Sequence, residues 1–313
     1  MEIQSHYRYY YHVRRLASLL LGVLSALAPM AAATPASAAQ APKVLRVVAA
    51  EDFWGSLAAQ LGGRMVRVTS IVTDPNADPH EYESNPADAR LFAAADLVIV
   101  NGAGYDTWAG KLLAAQPRPG RRVLDVASLL HVPHGANPHL WYDPPDVAAV
   151  VNAISADYSA MVPTERAYFV TRHSAVESAL AGYRSELAAL RARYAGTPVG
   201  STESIFVYLA RDLGLRLVTP PAFMDAVSEG VDPPIDTLVT VQHQIDSHQL
   251  AVLIYNTQTV TPLTDGLVAA ARARHIPVVP VSETMVPPTT TFQRWMVGEL
   301  DRLGAALARA RVR

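Results

Sequence analysis

The residues best suited to chemistry in this 313-residue chain are histidines and carboxylates, because cysteine is absent. A Cys-ligated zinc site, an iron–sulfur cluster and a disulfide-stapled fold are thereby excluded, and imidazole and carboxylate are the main strong metal ligands left. His80 lies in the acidic loop TDPNADPHEYESNPAD, with Asp74, Asp78 and Glu83 around it. His139 lies in Asn137-Pro138-His139-Leu140-Trp141, inside a proline-bearing stretch at 131–146 that no single regular element can span. Glu203 sits in GSTES and Glu283 in VSETMVPP. All four follow runs with strand character, and open α/β sheets bind their ligands beyond the carboxyl ends of the strands. Two nitrogen and two oxygen donors from four such loops would enclose one divalent cation. Their separations of 59, 64 and 80 residues form no short motif, so only the fold can assemble them.

Each residue also has a plainer role open to it. A loop histidine beside proline is commonly a cap or a surface group, and Glu203 precedes a helix, whose start a carboxylate stabilises. His131 and His134 lie close enough to His139 to compete as ligands, although their loop reads as exposed. His243 and His248 read as surface groups on a polar helix, and His173 belongs to a long helix. Trp141 and Tyr142 read as packing beside the site.

The elements that must carry these loops alternate. VLRVVAA (44–50), MVRVTSIV (65–72), DLVIVNG (96–102) and RRVLDVA read as strands, separated by the helices FWGSLAAQLGG, DARLFAAA and YDTWAGKLLAA. DVAAVVNAISADYSAMVP is a further apolar-faced helix. From Thr164 to Tyr194 there is no proline, and Leu180, Leu187 and Leu190 recur among Glu, Arg and Ala. That span predicts one helix of about 45 Å, long enough to be a strut. The alternation then restarts with strands at TPVGS, RLVTP, LAVLIYN and IPVVPVSET, with the helices IFVYLARDLGL, DTLVTVQHQIDSHQ, TDGLVAAARARH and TFQRWMVGELDRLGAALARA around them. The expected fold is α/β: two lobes, each a mostly parallel sheet flanked by helices, joined by one long helix, with the metal site in the cleft. The expected boundaries are a first lobe at 39–162, a linking helix at 163–195 and a second lobe at 196–313. No repeat relates the halves at the sequence level.

Residues 1–38 read as a secretion signal. Arg14-Arg15 precede an apolar core, and Ala36-Ser37-Ala38 offers small residues for cleavage after Ala38; the alternative is a retained membrane anchor. With no cysteine for lipid attachment, the expected product is an exported, freely soluble monomer, periplasmic or extracellular, and not a lipoprotein. A formal charge of -2 argues against a strongly basic nucleic-acid binder. HExxH, GxSxG, GxGxxG and a phosphate loop are absent, which leaves a metal-dependent hydrolase or a metal-binding adhesin as the rival functions.

With these loops in view, the chain resembles the metal-binding substrate-receptor family of bacterial zinc/manganese ABC importers. The resemblance rests on Asp78-Pro79-His80-Glu81-Tyr82-Glu83 running to Asn85-Pro86-Ala87-Asp88, on VIVNG at 98–102, and on Asn137-Pro138-His139-Leu140-Trp141-Tyr142-Asp143-Pro144. It covers nearly all of the chain beyond the leader. It implies His80 and His139 as ligands from the first lobe and Glu203 as the third, in the turn before a helix. The family's fourth ligand is usually an aspartate near the start of the last helix, where this chain has SETMVPPTTTFQRWM; Glu283 takes that place here, with Thr290 or a water as alternatives. The implied function is capture of Zn2+ or Mn2+, zinc weakly favoured, and delivery to a membrane permease driven by a separate ATPase, with no catalysis.

Overall fold

The structure is a computed structural model and describes residues 43–311; the leader and its cleavage site lie outside the described residues. Four strands form the first sheet: β1 (Leu45–Glu51), β2 (Val66–Val72), β3 (Leu97–Val100) and β4 (Arg122–Asp125), in the order β2-β1-β3-β4. Four more form the second: β5 (Pro198–Ser201), β6 (Arg216–Leu217), β7 (Val252–Asn256) and β8 (Val278–Val281), in the order β6-β5-β7-β8. Every pairing is parallel. The central strands are apolar on both faces because helices cover both; β3 is buried along its whole length. The two orders are the same permutation, so the halves repeat in topology although not in sequence. In both, the connections diverge on either side of the first and third strands, which opens a crevice at the carboxyl edge there.

The long helix runs Arg166–Tyr194. Pro163–Glu165 before it form a 3-10 turn, so the regular helix begins two residues later than its composition suggests. Its buried residues are Phe169, Val176, Leu180, Tyr183, Leu187, Leu190 and Tyr194, recurring every three or four positions after Phe169 and Val176 and so lying on one stripe. Burying one such leucine stabilises the fold by about 1.5–3 kcal/mol, and the stripe belongs to a core that runs continuously from Leu45 in the first sheet to Leu307 in the closing helix. The strut is not alone. The closing helix, Phe292–Arg311, packs against it, and its Gln293 exchanges amide hydrogen bonds with Gln60 at 3.2 and 2.8 Å. The backbone N–H of Phe292 donates to the Ser56 hydroxyl at 3.1 Å. A helix at Pro221–Ser228, with proline at its first turn, is an element that the alternation of strands and helices did not bring out. Among the described residues no helix is long and apolar enough to cross a membrane.

Candidate metal centre

His80 is presented by a 3-10 turn, Pro79–Glu81, whose preceding Asp78 accepts from the His80 backbone N–H at 2.9 Å. His139 sits just before a second 3-10 turn, Leu140–Tyr142, and is wholly buried. Asn137 fixes its ring. The Asn137 Oδ1 accepts from the His139 backbone N–H at 3.0 Å and lies 2.8 Å from Nδ1, while its Nδ2 donates to the Ser204 carbonyl at 2.8 Å. With the amide orientation settled from both ends, Nδ1 must carry the ring hydrogen, and Nε2 presents a lone pair. Glu203 and Glu283 follow β5 and β8 and are both wholly buried.

These four side chains converge. His80 Nε2 lies 3.3 Å from Glu283 Oε2, and His139 Nε2 lies 3.9 Å from both Glu203 Oε2 and Glu283 Oε2. Donor atoms of His80, His139 and Glu283 all fall within 4.8 Å of one another. Four ligands at about 2.0–2.1 Å in a tetrahedron stand roughly 3.3 Å apart. His80 Nε2 and Glu283 Oε2 already have that separation, whereas His139 must draw in toward both carboxylates, and Glu203 lies outside the close group of three, with its described approach made to His139. His139 Nε2 and Glu203 Oε2 are buried with no hydrogen-bond partner, while His80 Nε2 pairs with Glu283 Oε2. Buried polar atoms are almost always paired, and two unpaired ones beside that ion pair suit a cation.

The remaining lone pairs are occupied. Asn256, which ends β7, donates from Nδ2 to Glu203 Oε1 at 3.1 Å and to Glu283 Oε1 at 2.7 Å. Tyr105 donates its hydroxyl to Glu283 Oε2 at 2.6 Å, and its ring meets those of His80, His139 and Trp141 edge-on. Around Glu283 the backbone is gripped by the first lobe: Tyr142 donates its hydroxyl to the Ser282 carbonyl at 2.9 Å, and Asp52 accepts from the Met285 N–H at 3.0 Å. Trp141 stacks on Phe53 at 3.9 Å, the packing role its sequence position suggested. Thr290 closes the turn after this loop, its N–H donating to the Pro287 carbonyl; it is Glu283 that meets the histidines. His134 is exposed and lines a cavity of about 620 Å³ beside the site, together with His80, Tyr105 and Asn137. His131 is exposed, while His173 pairs with Asn152 and His248 with the Arg274 carbonyl.

The electrostatics divide the donors into two opposed pairs. Burial alone would suppress the charge on His80, but Glu283, Asp78 and Glu203 outweigh it and raise its pKa to about 9. Burial lowers His139 to about 3, against the pull of Glu283. Burial and the nearby Glu283 raise Glu203 to about 8. Burial would raise Glu283 too, but His80, the His139 ring and the Tyr105 hydroxyl hold it down near 2. Protons are thus favoured on His80 and Glu203, while Glu283 and neutral His139 are favoured in the forms that bind a cation.

Tyr105, Asn137 and Asn256 were not singled out in the sequence. Asn256 had a signal: it is a polar residue closing the apolar run LAVLIYN, as Asn101 closes DLVIVNG. Asn101 does comparable work, accepting from the Trp54 indole at 3.0 Å and donating to the Pro138 carbonyl at 2.8 Å, next to His139.

Two parallel-sheet lobes with a helical spine and a buried nitrogen–oxygen donor cluster between them have the form of a metal-binding receptor. The chain belongs to the family described as zinc-uptake complex component A, periplasmic, whose model matches residues 47–306. Among curated proteins it is 26% identical to the iron-binding protein YfeA of Yersinia pestis over 66% of this chain and 68% of that one. It is 25% identical to the manganese ABC transporter substrate-binding lipoprotein PsaA of Streptococcus anginosus over 72% and 78%. Among solved structures, the periplasmic zinc binding protein TroA from Treponema pallidum superposes with a TM-score of 0.72 at 18% identity, covering 84% of this chain and 99% of that one. The family is one of transport receptors, not of enzymes.

Proposed function

We propose that this protein captures a single divalent transition-metal ion with His80, His139, Glu203 and Glu283, prefers zinc to manganese, and releases it to the permease of an ABC importer powered by a separate ATPase. On this reading residues 39–162 and 196–313 are two jaws held by the connector at 163–195, and the receptor acts as a monomer. The observation that carries it is the convergence of the His80 and His139 Nε2 atoms upon Glu283 Oε2, with the buried, unpartnered Glu203 Oε2 beside His139.

The preference for zinc follows from Asn256. Because its amide nitrogen occupies Oε1 of both glutamates, each carboxylate offers one oxygen, Oε2, and the site supplies four donors of N2O2 type. Four-coordinate tetrahedral geometry with imidazole and carboxylate suits Zn2+, whose intrinsic affinity for such donors also exceeds that of Mn2+. The relatives named above are described as binding iron, manganese or zinc, so the common fold does not select the ion, and the donor count is what supports zinc here. Binding is an exchange: a dication enters as the protons on His80 and Glu203 leave. Three of the four donors are wholly buried and His80 is 19% exposed, so release requires the loops to part.

The test is a titration of metal-stripped protein with Zn2+ and Mn2+, together with a crystal structure using anomalous scattering. One ion bonded to both Nε2 atoms and both Oε2 atoms, with zinc the tighter, is the expected outcome. An ion elsewhere, or equal affinity in a His139→Ala variant, would overturn the assignment.

A further inference from the structure

We infer that Gln258 is a positioning residue that makes the His80 loop and the Glu283 loop one mechanical unit; this rests on the metal-site reading above. Gln258 follows β7, is 6% exposed, and uses both ends of its amide across the cleft. Its Oε1 accepts from the backbone N–H groups of Glu283 at 2.7 Å and Thr284 at 2.9 Å, with the Thr284 hydroxyl at 3.3 Å. Its Nε2 donates to the carbonyl of Ala77 at 2.7 Å and to that of Asp74 at 3.4 Å. Its own N–H donates at 3.0 Å to Oδ1 of Asn256, the residue whose Nδ2 holds both glutamates. One residue therefore connects the backbone beneath Glu283 and the backbone three residues before His80 through its side chain, and the amide that orients both carboxylates through its own N–H.

The His80 loop needs such a hold. Between Thr73 and Asn85 the one buried residue is Pro79, so apolar packing does little to place this segment. Tyr82 ties the end of the segment to its own lobe, meeting Trp108 edge-on and donating to Asp88 at 2.8 Å. Nearer His80 the second lobe supplies the hold, and beside the His80–Glu283 pair and Gln258 the further hydrogen bond, from the Thr284 hydroxyl to the Asp74 carbonyl, is longer at 3.5 Å. Only a primary amide can accept two backbone N–H groups at one end while donating to two carbonyls at the other. No atom of Gln258 approaches the donor set itself in the described contacts, so its effect is exerted through His80 and Glu283.

The experiment is a double-mutant cycle on metal-stripped protein, using Gln258→Met, which keeps the length and removes both polar ends, and His80→Ala, with zinc affinity as the readout. In the parent background Gln258→Met is expected to weaken zinc by about 10- to 100-fold, the range for groups that orient ligands. In the His80→Ala background the same change is expected to cost at least several-fold less, because one of the two ligands it positions is gone and only its hold on Glu283 remains. A merely structural role predicts the same factor in both backgrounds. That result, or no loss in the parent, would overturn the inference while leaving the receptor reading intact. If His80→Ala itself binds zinc like the parent, the receptor site fails and the positioning role fails with it. Should Gln258→Met not give the far-ultraviolet spectrum of the parent, Gln258→Glu replaces it in the cycle; it keeps the oxygen facing Glu283 and loses the donor facing Ala77, and the same coupling is expected.

Discussion

The Nε2 of His80 and the Oε2 of Glu283, brought from opposite lobes, face one another at 3.3 Å as an ion pair that a metal ion must break. The pair sets how the site responds to protons. His80, raised to about 9, and Glu203, raised to about 8, are both protonated at pH 7, and both must deprotonate to bind a cation. Zinc binding at pH 7 is therefore expected to release about two protons. Calorimetry in buffers of different ionisation enthalpy measures that number. Affinity should rise as pH increases from 7 to 9 and level off above; release of no protons at pH 7 would contradict the scheme.

The metal-free fold should respond to pH in the opposite direction. His80 and Glu203 both have folded-state pKa values above their ordinary ones, so the stability they confer is fully present below the unfolded values. It is lost as pH rises through about 8 for Glu203 and about 9 for His80. The thermal midpoint of stripped protein is expected to fall between pH 7 and pH 9, and zinc-loaded protein, whose metal replaces both protons, is expected to lose less. Parallel melting curves over that range check the difference.

Much of this arrangement was legible before any coordinates. The strands were plain because parallel strands covered on both faces are continuous apolar runs, as LVIV at Leu97–Val100 is. His80, His139, Glu203 and Glu283 stood out as candidates because metal donors are of few residue types and open α/β sheets bind ligands at strand ends; the fold brings His80, His139 and Glu283 together, with Glu203 next to His139. What stayed hidden depends on contacts between loops far apart in the sequence. Asn256 and Gln258 look like ordinary polar residues after a strand, and Tyr105 like a turn residue after VIVNG; their roles exist only once a partner 27, 25 or 178 residues away is in place. The start of the long helix was set by Pro163, whose ring favours the preceding 3-10 turn, a local effect that leucine spacing does not report.

Replacing either imidazole removes one of the two nitrogen donors that meet Glu283. His80→Ala and His139→Ala are expected to weaken zinc by about 100-fold or more, beyond the range for orienting groups, and to abolish most zinc-dependent thermal stabilisation. Differential scanning fluorimetry with and without zinc reads this directly. Retention of the parent's zinc-dependent shift in both variants would place the ion elsewhere.

The spine can be separated from the site. Leu180 is 2% exposed in the middle of the long helix, and Leu180→Ala is expected to cost about 2–5 kcal/mol of stability through lost burial and a residual cavity. Zinc affinity of the folded variant should match the parent, since no ligand loop rests on this residue in the described contacts. Chemical denaturation of stripped protein measures the first effect and titration the second.

Asn256 offers the sharpest test of metal choice. Its amide nitrogen occupies Oε1 of Glu203 and of Glu283, which limits each to one oxygen toward the ion. In Asn256→Ala both Oε1 atoms are released, so the carboxylates can swing or bind through both oxygens, and the donor set grows beyond four. Zinc should weaken by about 10- to 100-fold, as for loss of a group that orients ligands. Manganese, which favours higher coordination by oxygen, should weaken less, so that the ratio of zinc to manganese affinity falls. Competition titrations of parent and variant with both ions give that ratio. An unchanged ratio would mean that the donor count is not what selects the metal, and that selection lies in the cleft rather than in the carboxylates.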